Sequence, residues 1–338
     1  MRPTDELDRF RPLPLLGNPH IQTLLGIWLK GKPLSAPTRE CHVAFPDGDR
    51  LVMHDSSPEG WVGGGRIAVL VHGLTGSHLS GYMQRTARLL LDRGVRVVRL
   101  DLRGCGRGEA LARRPYHAGC SGDVRVAVEE IQRWSPGSPL TLIGFSLGGN
   151  IVLKLAGEAV NTPLAGLEKI AAVAPPIDLE RCAALLALRR NRFYDLYFAH
   201  ALMAHARRRE RLFPDLPVVR FPRRMSLRLF DDLYTAPICG FRDALDYYRR
   251  SASLPHIPRI QVPTLILTAR DDPFVTAEPF ETLRAGPQVR VRIIDQGGHL
   301  GFLGRGNGRG IRWAENQILD WAVQSGNGHG LIHAREKI

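Results

Sequence analysis

The sequence predicts an α/β fold whose sheet is mostly parallel and doubly wound. Short aliphatic and β-branched runs, typical of buried strands, alternate along the chain with segments of helical periodicity. Several of these strand-like runs end in turns rich in glycine or aspartate. The chain has 338 residues, 44% of them hydrophobic, so it can bury a large core and is not expected to be disordered overall.

The predicted elements follow one another in a regular order. A hairpin is expected first, with strands at 39–45 and 51–54 around a Pro-Asp-Gly turn. Further strands are predicted at 66–71, 95–100, 140–143, 170–174, 262–268 and 289–294. Helices are predicted at 82–92, at 123–134 and directly after Ser146.

Residues 144–148 (Gly-Phe-Ser-Leu-Gly) form the most informative motif. They leave a strand-like run and enter a helical one, so Ser146 should sit on a sharp turn that holds its hydroxyl above the sheet edge. Glycine suits positions 144 and 148 because the strained turn leaves no room for a bulky side chain there. We expect Ser146 to be a nucleophile, and the Leu147 amide at the helix N-terminus to stabilise an oxyanion.

An aspartate and a histidine follow Ser146 in the order that a Ser-acid-His triad requires on this kind of sheet. His299, after the last predicted strand, would take the serine proton and return it to the leaving group. Asp271 and Asp272 compete for the role of the carboxylate that orients His299. We favour Asp272, because a residue before proline is pushed out of the helical region and so sits extended. Asp271 stays the alternative, its other interpretation being a surface turn carboxylate.

A second oxyanion donor is expected from the glycine-rich turn at 72–77, which follows the strand at 66–71. In such a turn the Leu74 amide would face the reacting carbonyl. His72 could be mistaken for a catalytic base. We interpret it as a structural histidine that braces the loop, because His299 already occupies the position that the triad order requires.

Taken together, these motifs resemble the YheT-like α/β-hydrolases, a family that includes animal membrane-associated lipid hydrolases and yeast medium-chain ester synthases. The resemblance covers nearly everything from Asn18 to about Trp321. The matching segments are 18–24 (Asn-Pro-His-Ile-Gln-Thr-Leu), 103–106, 116–119 with Asp123, 269–274 and 297–302. It implies the α/β-hydrolase fold with an inserted helical cap. The segment at 18–24 is the most family-specific, and we expect it to pack on the body and cap the sheet.

The predicted elements and the matching segments together suggest how the chain divides into domains. We expect an N-terminal arm at 1–35, a core at 36–177 and 253–325, a cap insertion at 178–252 and a flexible tail at 326–338. A cap in this position would exclude water and decide which acyl or alcohol chain reaches Ser146.

The predicted cap is basic. Residues 178–250 contain 15 arginines and nine acidic residues, and so carry +6 of the chain's formal charge of +13, together with clusters of aromatic residues. This mixture fits a transient association with an anionic membrane surface. Nucleic acid is not an expected partner, since no recognition motif accompanies the charge. Arginine outnumbers lysine throughout the chain, so simple solvated surface charge is the third interpretation.

Composition and spacing exclude other classes of site. The five cysteines show no C-x-x-C spacing, which argues against a disulfide framework or a zinc site, and no other metal is expected. No phosphate-binding or dinucleotide-binding glycine motif occurs, so no cofactor is expected. Neither a signal peptide nor a membrane-length apolar run is evident, which predicts a cytoplasmic protein. The sequence makes no prediction about the oligomeric state.

Ser146, Asp272 and His299 together predict an enzyme. The expected substrate is a small-molecule carboxylic ester with a medium- or long-chain acyl group, cleaved through an acyl-enzyme. Acyl transfer to an alcohol uses the same triad and stays open as the alternative. A catalytically silent binding scaffold is less favoured, because such scaffolds typically lose the nucleophile or the base.

Overall fold

The computed structural model of the chain describes residues 10–29, 31–306 and 310–324. The first nine residues of the predicted arm and the predicted tail at 326–338 lie outside these ranges.

Within the described ranges the chain forms ten strands and eleven helices. The strands are β1 (Arg11–Pro12), β2 (Arg39–Ala44), β3 (Arg50–Ser56), β4 (Ile67–Val71), β5 (Arg96–Asp101), β6 (Leu140–Phe145), β7 (Leu167–Val173), β8 (Thr264–Ala269), β9 (Val289–Ile294) and β10 (Gly304–Arg305). The helices are α1 (Pro19–Trp28), α2 (Gly81–Leu91), α3 (Ser121–Trp134), α4 (Leu147–Glu158), α5 (Leu179–Leu186), α6 (Arg192–Leu212), α7 (Leu227–Phe230), α8 (Ala236–Ile238), α9 (Ala244–Ser251), α10 (Glu278–Glu281) and α11 (Trp313–Val323).

Eight of the described strands form one sheet in the order β2-β3-β5-β4-β6-β7-β8-β9. The hairpin strands β2 and β3 pair antiparallel, and β3 is also antiparallel to β5, whereas all other neighbours are parallel. The predicted α/β-hydrolase fold with its mostly parallel sheet is confirmed. β1 and β10 form a separate two-stranded pair that ties the start of the described chain to the loop after β9.

The two faces of the sheet carry separate apolar clusters. Residues of α3 and α4 pack with one face, and residues of α2 and α11 pack with the other. The central strands are buried on both sides and accordingly read as continuous apolar runs rather than as an alternation.

This topology decides where a site can form. Because β4, β6, β8 and β9 are parallel, the loops that follow them meet along one edge of the sheet. Those four loops carry Leu74, Ser146, Asp272 and His299.

The segment between β7 and β8 contains α5 to α9 and one turn of π-helix, Asp231–Thr235. It has an apolar cluster of its own, formed by Ala199, Leu202, Met203, Ala206, Met225, Phe230 and Tyr234. Other residues of the segment, including Leu186 and Tyr248, belong to the main apolar cluster of the sheet. The boundaries of a separate cap at 178–252 stay a prediction.

Candidate active site

Ser146 sits between β6 and α4 with a positive φ of 50°, the strained turn that the motif predicts. Close backbone packing explains the flanking glycines. A Cβ at Gly144 would lie 2.3 Å from the carbonyl oxygen of Gly148, and a Cβ at Gly148 would lie 2.3 Å from that of Val71. No larger residue fits at either position without moving the backbone that presents Ser146.

An unbroken chain of hydrogen bonds links the three predicted triad residues. The Nε2 atom of His299 lies 2.8 Å from Ser146 Oγ, and its Nδ1 atom lies 2.7 Å from Asp272 Oδ2. The Asp272 side chain is fully buried, and its Oδ1 atom accepts the backbone N–H groups of Phe274 and Val275 at 2.8 and 3.0 Å. These two donors fix the carboxylate, which leaves Oδ2 to contact the imidazole.

Asp271 lies in the same loop but contacts a different group. Its Oδ1 atom accepts the backbone N–H of Gly298 at 2.9 Å, one residue before His299. Burial raises the pKa of Asp271, against hydrogen bonds from the turn that lower it. The interpretation of Asp271 as a surface turn carboxylate is therefore wrong, because the side chain is partly buried and holds the loop that carries His299.

The two predicted oxyanion donors, the backbone amides of Leu74 and Leu147, belong to residues that line the same cavity as Ser146. Neither amide has a hydrogen-bond acceptor among the described residues. Both N–H groups are thus available to a ligand oxygen. The Leu147 amide also lies at the N-terminus of α4, where the helix dipole is positive.

Two tyrosine hydroxyls hold the loop on either side of Leu74. Tyr82 Oη accepts the Gly73 N–H at 2.9 Å, and Tyr116 Oη accepts the Thr75 N–H at 2.6 Å. Thr75 has a positive φ of 58°, which is unfavourable for a β-branched residue. The two hydroxyls thus accept the N–H groups on either side of Leu74, and the Leu74 N–H has no acceptor among the described residues.

His72 braces the same loop from beneath, as its predicted structural role requires. It is fully buried, its Nδ1 atom donates to the carbonyl of Gly73 at 2.8 Å, and its Nε2 atom accepts the Leu102 N–H at 3.2 Å. Burial lowers the pKa of His72. The neutral tautomer that these partners select keeps the ring in place.

A second buried network lies next to this loop. His54 Nε2 and His78 Nδ1 lie 2.9 and 2.7 Å from Asp101 Oδ2, and the His78 N–H donates to Asp101 Oδ1 at 2.7 Å. Burial opposes the charged carboxylate, but hydrogen bonds from both histidines outweigh it and hold the pKa of Asp101 well below its usual range. The ligand atoms lie within 4.8 Å of one another, close enough to share a metal ion. Each side chain is, however, already partnered inside the cluster, so the network can hold the loop by hydrogen bonds alone.

Helix α1 is part of the site, which the sequence did not reveal. Asn18 caps the helix by accepting the N–H groups of His20 and Ile21, and the helix packs against the loop that carries His299. The Thr23 hydroxyl accepts the His299 N–H at 2.9 Å. A Cβ at Gly298 would lie 2.5 Å from the carbonyl oxygen of Pro19, which shows how closely helix and loop approach.

Gln22 completes this contact from a fully buried position. Its side-chain nitrogen donates to the carbonyls of Leu16 and Leu303 at 2.8 and 3.0 Å, and its side-chain oxygen accepts the Leu303 N–H at 2.7 Å. The loop it holds contains two non-glycine residues with positive φ, Leu300 and Phe302. The motif at 18–24 was the available signal, but nothing in the sequence indicated that its partner lies about 280 residues away.

Ser146 and His299 open into a cavity of about 110 Å³ between the sheet edge and α5 to α9. Most of its lining is apolar. The apolar lining comprises Leu74, Leu147, Pro176, Leu179, Ala183, Leu186, Phe198, Leu202, Ala206, Leu227, Phe230, Phe274 and Val275. A water needs roughly 10–15 Å³ in this measure, so the cavity accommodates a chain of several methylene groups.

One wall of the cavity is polar. Asp231 is buried there, and its carboxylate accepts hydrogen bonds from the Tyr248 and Thr235 hydroxyls, both at 2.7 Å. Burial raises the pKa of Asp231 to about 7, against those hydrogen bonds. Tyr247 and Tyr248 also line this wall and are buried. Tyr194 of the same segment is buried as well.

Comparison with known proteins identifies the family of the chain. The family model of the alpha/beta hydrolase fold matches residues 69–305. YheT of Escherichia coli strain K12 is 32% identical over 317 residues, and the alignment covers 92% of each chain. The chain belongs to the YheT-like α/β-hydrolases. Relatives of this chain carry the names esterase, lipase and phospholipase, and the chain is a hydrolase.

Two yeast members are more distant relatives. The monoacylglycerol lipase of Saccharomyces cerevisiae is 26% identical, over 79% of this chain and 59% of that protein. The medium-chain fatty acid ethyl ester synthase/esterase 2 of the same yeast is 26% identical, over 75% of this chain and 61% of that protein. In the part of the chain that the structure describes, no helix combines the length and the hydropathy of a membrane span.

Proposed function

We propose that the chain is a serine hydrolase that cleaves carboxylic esters of medium- or long-chain acyl groups through an acyl-enzyme. The observation that carries the proposal is the hydrogen-bonded series Ser146, His299 and Asp272, opening into a mostly apolar cavity. The small-molecule ester would place its acyl chain against the apolar lining.

In the acylation step, Ser146 Oγ attacks the ester carbonyl carbon while its proton moves to His299 Nε2. Asp272 accepts the N–H of His299 Nδ1, selects the tautomer that leaves Nε2 free, and stabilises the imidazolium that forms. The imidazolium then gives the proton to the leaving alkoxide oxygen as the ester C–O bond breaks. Water repeats the sequence on the acyl-enzyme and releases the acid.

The tetrahedral intermediate places a negative charge on the former carbonyl oxygen. We propose that the backbone amides of Leu74 and Leu147 stabilise it, since neither has an acceptor in the described part of the chain and both belong to residues that line the cavity. Preorganised donors of this kind contribute on the order of 10²- to 10³-fold each to the rate. The positive φ of Ser146 and the start of α4 set the position of the second donor.

Acyl transfer to an alcohol is the second candidate. The name of the yeast synthase/esterase supports it, as does an apolar cavity that an alcohol can enter as readily as water. The two reactions share every step up to the acyl-enzyme and differ only in the nucleophile that attacks it.

The proposal is tested by fluorophosphonate labelling and by turnover of p-nitrophenyl esters from two to sixteen acyl carbons. Ser146→Ala should abolish labelling and reduce turnover by several orders of magnitude while the fold is retained. The control is Ser57→Ala, which changes an exposed serine just beyond β3, at the opposite edge of the sheet. Retained labelling in Ser146→Ala would reject Ser146 as the nucleophile. Turnover that is highest for the acetate ester would reject the proposed preference for medium- or long-chain acyl groups.

Added ethanol separates the two candidate reactions. With an octanoyl ester as donor, the ratio of ethyl octanoate to octanoic acid measures how the acyl-enzyme partitions. A hydrolase gives mainly the acid at millimolar ethanol, and a dominant ethyl ester would support the transferase.

A further inference from the structure

Helix α1 exposes three large apolar side chains. Its buried positions are Gln22, Thr23 and Gly26, which are polar or small. The exposed apolar side chains of the helix are Ile21, Ile27 and Trp28, whereas Leu24 is half-buried and packs against the main apolar cluster. Ile21 and Trp28 are 41% and 69% exposed. A surface helix normally buries its apolar stripe, so the orientation of α1 is reversed and leaves an unpartnered apolar face.

The start of α6 extends this face. His20 on α1 stacks on Tyr194 of α6 with ring centroids 5.6 Å apart, and His20 Nδ1 lies 3.0 Å from the Tyr194 hydroxyl. Phe193, next to Tyr194, and Tyr197, one turn later, are 66% and 51% exposed. We call Ile21, Trp28, Phe193 and Tyr197 the α1–α6 surface.

The charge beside this surface is positive. Arg189, Arg190 and Arg192 directly precede Phe193 and are exposed, and none of the three forms an ion pair with a described residue. Other arginines of the same segment are paired, as in Arg181 with Glu278 and Arg249 with Glu180. Arginines elsewhere in the segment, such as Arg207 and Arg220, also have no ion pair with a described residue, but Arg189, Arg190 and Arg192 are the ones that place positive charge directly before Phe193.

We propose that the α1–α6 surface docks reversibly on an anionic lipid surface. Exposed aromatic and aliphatic side chains enter the boundary between headgroups and acyl chains, and arginines beside them contact the lipid phosphates. Each basic residue near such a surface strengthens binding about fivefold. The inference goes beyond the proposed function, because it concerns where the protein resides rather than what reaction it performs.

The position of the surface relative to the cavity supports this partner. Tyr194 and Phe198 on α6 contact Phe274 with ring centroids 4.5 and 5.7 Å apart, and Phe274 contacts His299 at 4.6 Å. These ring contacts link α6, which carries Phe193 and Tyr197, directly to His299. A surface for a second protein needs no such proximity, whereas one that collects apolar esters benefits from it.

Sedimentation of the full chain with phosphatidylglycerol or phosphatidylcholine vesicles tests the proposal. We expect binding to phosphatidylglycerol that weakens at high salt and exceeds binding to phosphatidylcholine. The double variant Trp28→Ser/Phe193→Ser should bind at least about tenfold more weakly. Val62→Ser is the matched control, since Val62 is 72% exposed just before β4, at the other edge of the sheet, and should bind like the wild type.

Two further measurements keep this proposal separate from the proposed function. Ser146→Ala should bind vesicles like the wild type, and the double variant should keep its turnover of soluble p-nitrophenyl butyrate. Equal binding to both lipids, or unchanged binding of the double variant, would overturn the proposal. So would a wild-type dimer that the double variant converts to a monomer, because the apolar face would then be covered by a second copy.

Discussion

At the scale of single residues, the adjacent Asp271 and Asp272 differ in the hydrogen-bond donors that their carboxylate oxygens accept. Asp272 accepts two backbone N–H groups on one oxygen and faces His299 Nδ1 with the other, whereas Asp271 accepts the Gly298 N–H. The chemical difference between identical side chains is thus set entirely by backbone direction.

Asp272→Asn should reduce kcat for a p-nitrophenyl ester by about 10⁴-fold, because an amide in this position selects the wrong imidazole tautomer. Asp271→Asn keeps an oxygen that accepts the Gly298 N–H and should cost less than about tenfold. Steady-state kinetics of the two variants side by side make the comparison. The opposite ranking would move the acid by one residue.

Tyr116 is expected to act on the rate through the loop rather than by contact with the reacting atoms. Tyr116→Phe removes the acceptor for the Thr75 N–H next to Leu74, and we expect about a tenfold lower kcat with little change in KM. A boronic acid inhibitor that mimics the tetrahedral intermediate should bind more weakly by a similar factor.

The matched control is Tyr234→Phe, which removes a hydroxyl from the same cavity that contacts Arg209 instead of the loop. If both variants lose the same activity, or if Tyr116→Phe raises KM alone, the loss reflects the lining of the cavity and not the position of the Leu74 amide.

At the scale of elements, α1 acts as a support for the His299 loop. Its inward side chains satisfy backbone groups of a loop that contains two strained positive-φ residues, so the helix and the loop depend on each other. An arm that merely capped the sheet would need no buried glutamine.

Gln22→Ala should lower the free energy of unfolding by about 2–4 kcal/mol, because it leaves the buried Leu303 N–H and the part-buried Leu16 carbonyl without their partner. The rate of fluorophosphonate labelling should fall as well, since the His299 loop loses its support. Gln84→Ala is the control, because Gln84 also bonds to two backbone groups, but these belong to Leu34 and Leu79 and not to that loop. Lost stability with an unchanged labelling rate would restrict α1 to a structural role.

At the scale of the whole molecule, the segment between β7 and β8 shares its apolar interior with the sheet. Leu179, Leu186, Tyr247 and Tyr248 belong to the same cluster as Leu142 of β6. The cavity that Ser146 and His299 line lies between the two parts, so neither part forms it alone.

We therefore expect the segment and the sheet to unfold in one cooperative transition. All five tryptophans lie outside residues 178–252, so their fluorescence reports on the rest of the chain, and hydrogen exchange of α6 amides reports on the segment. The two probes should give the same free energy of unfolding. A lower value for the α6 amides would identify a cap that opens independently.

The sequence by itself determined the parallel sheet, the strand order in the chain, the turn at Ser146 and the order of the predicted triad. These features depend on local properties: apolar runs, glycines where backbones approach, and fixed positions at strand ends. It also favoured Asp272, through the restriction that Pro273 places on the residue before it.

Only the tertiary structure decided which distant groups meet. Gln22 and Thr23 contact the His299 loop from a segment far away in the chain. The same is true of the two tyrosines beside Leu74. Tyr247 and Asp231 are buried only because distant segments pack over them. The outward apolar face of α1 was also decided by the tertiary structure, because the spacing of its apolar residues alone predicts that they are buried. A pattern in sequence reports how a segment divides into faces, whereas the packing of the whole chain decides which face is covered.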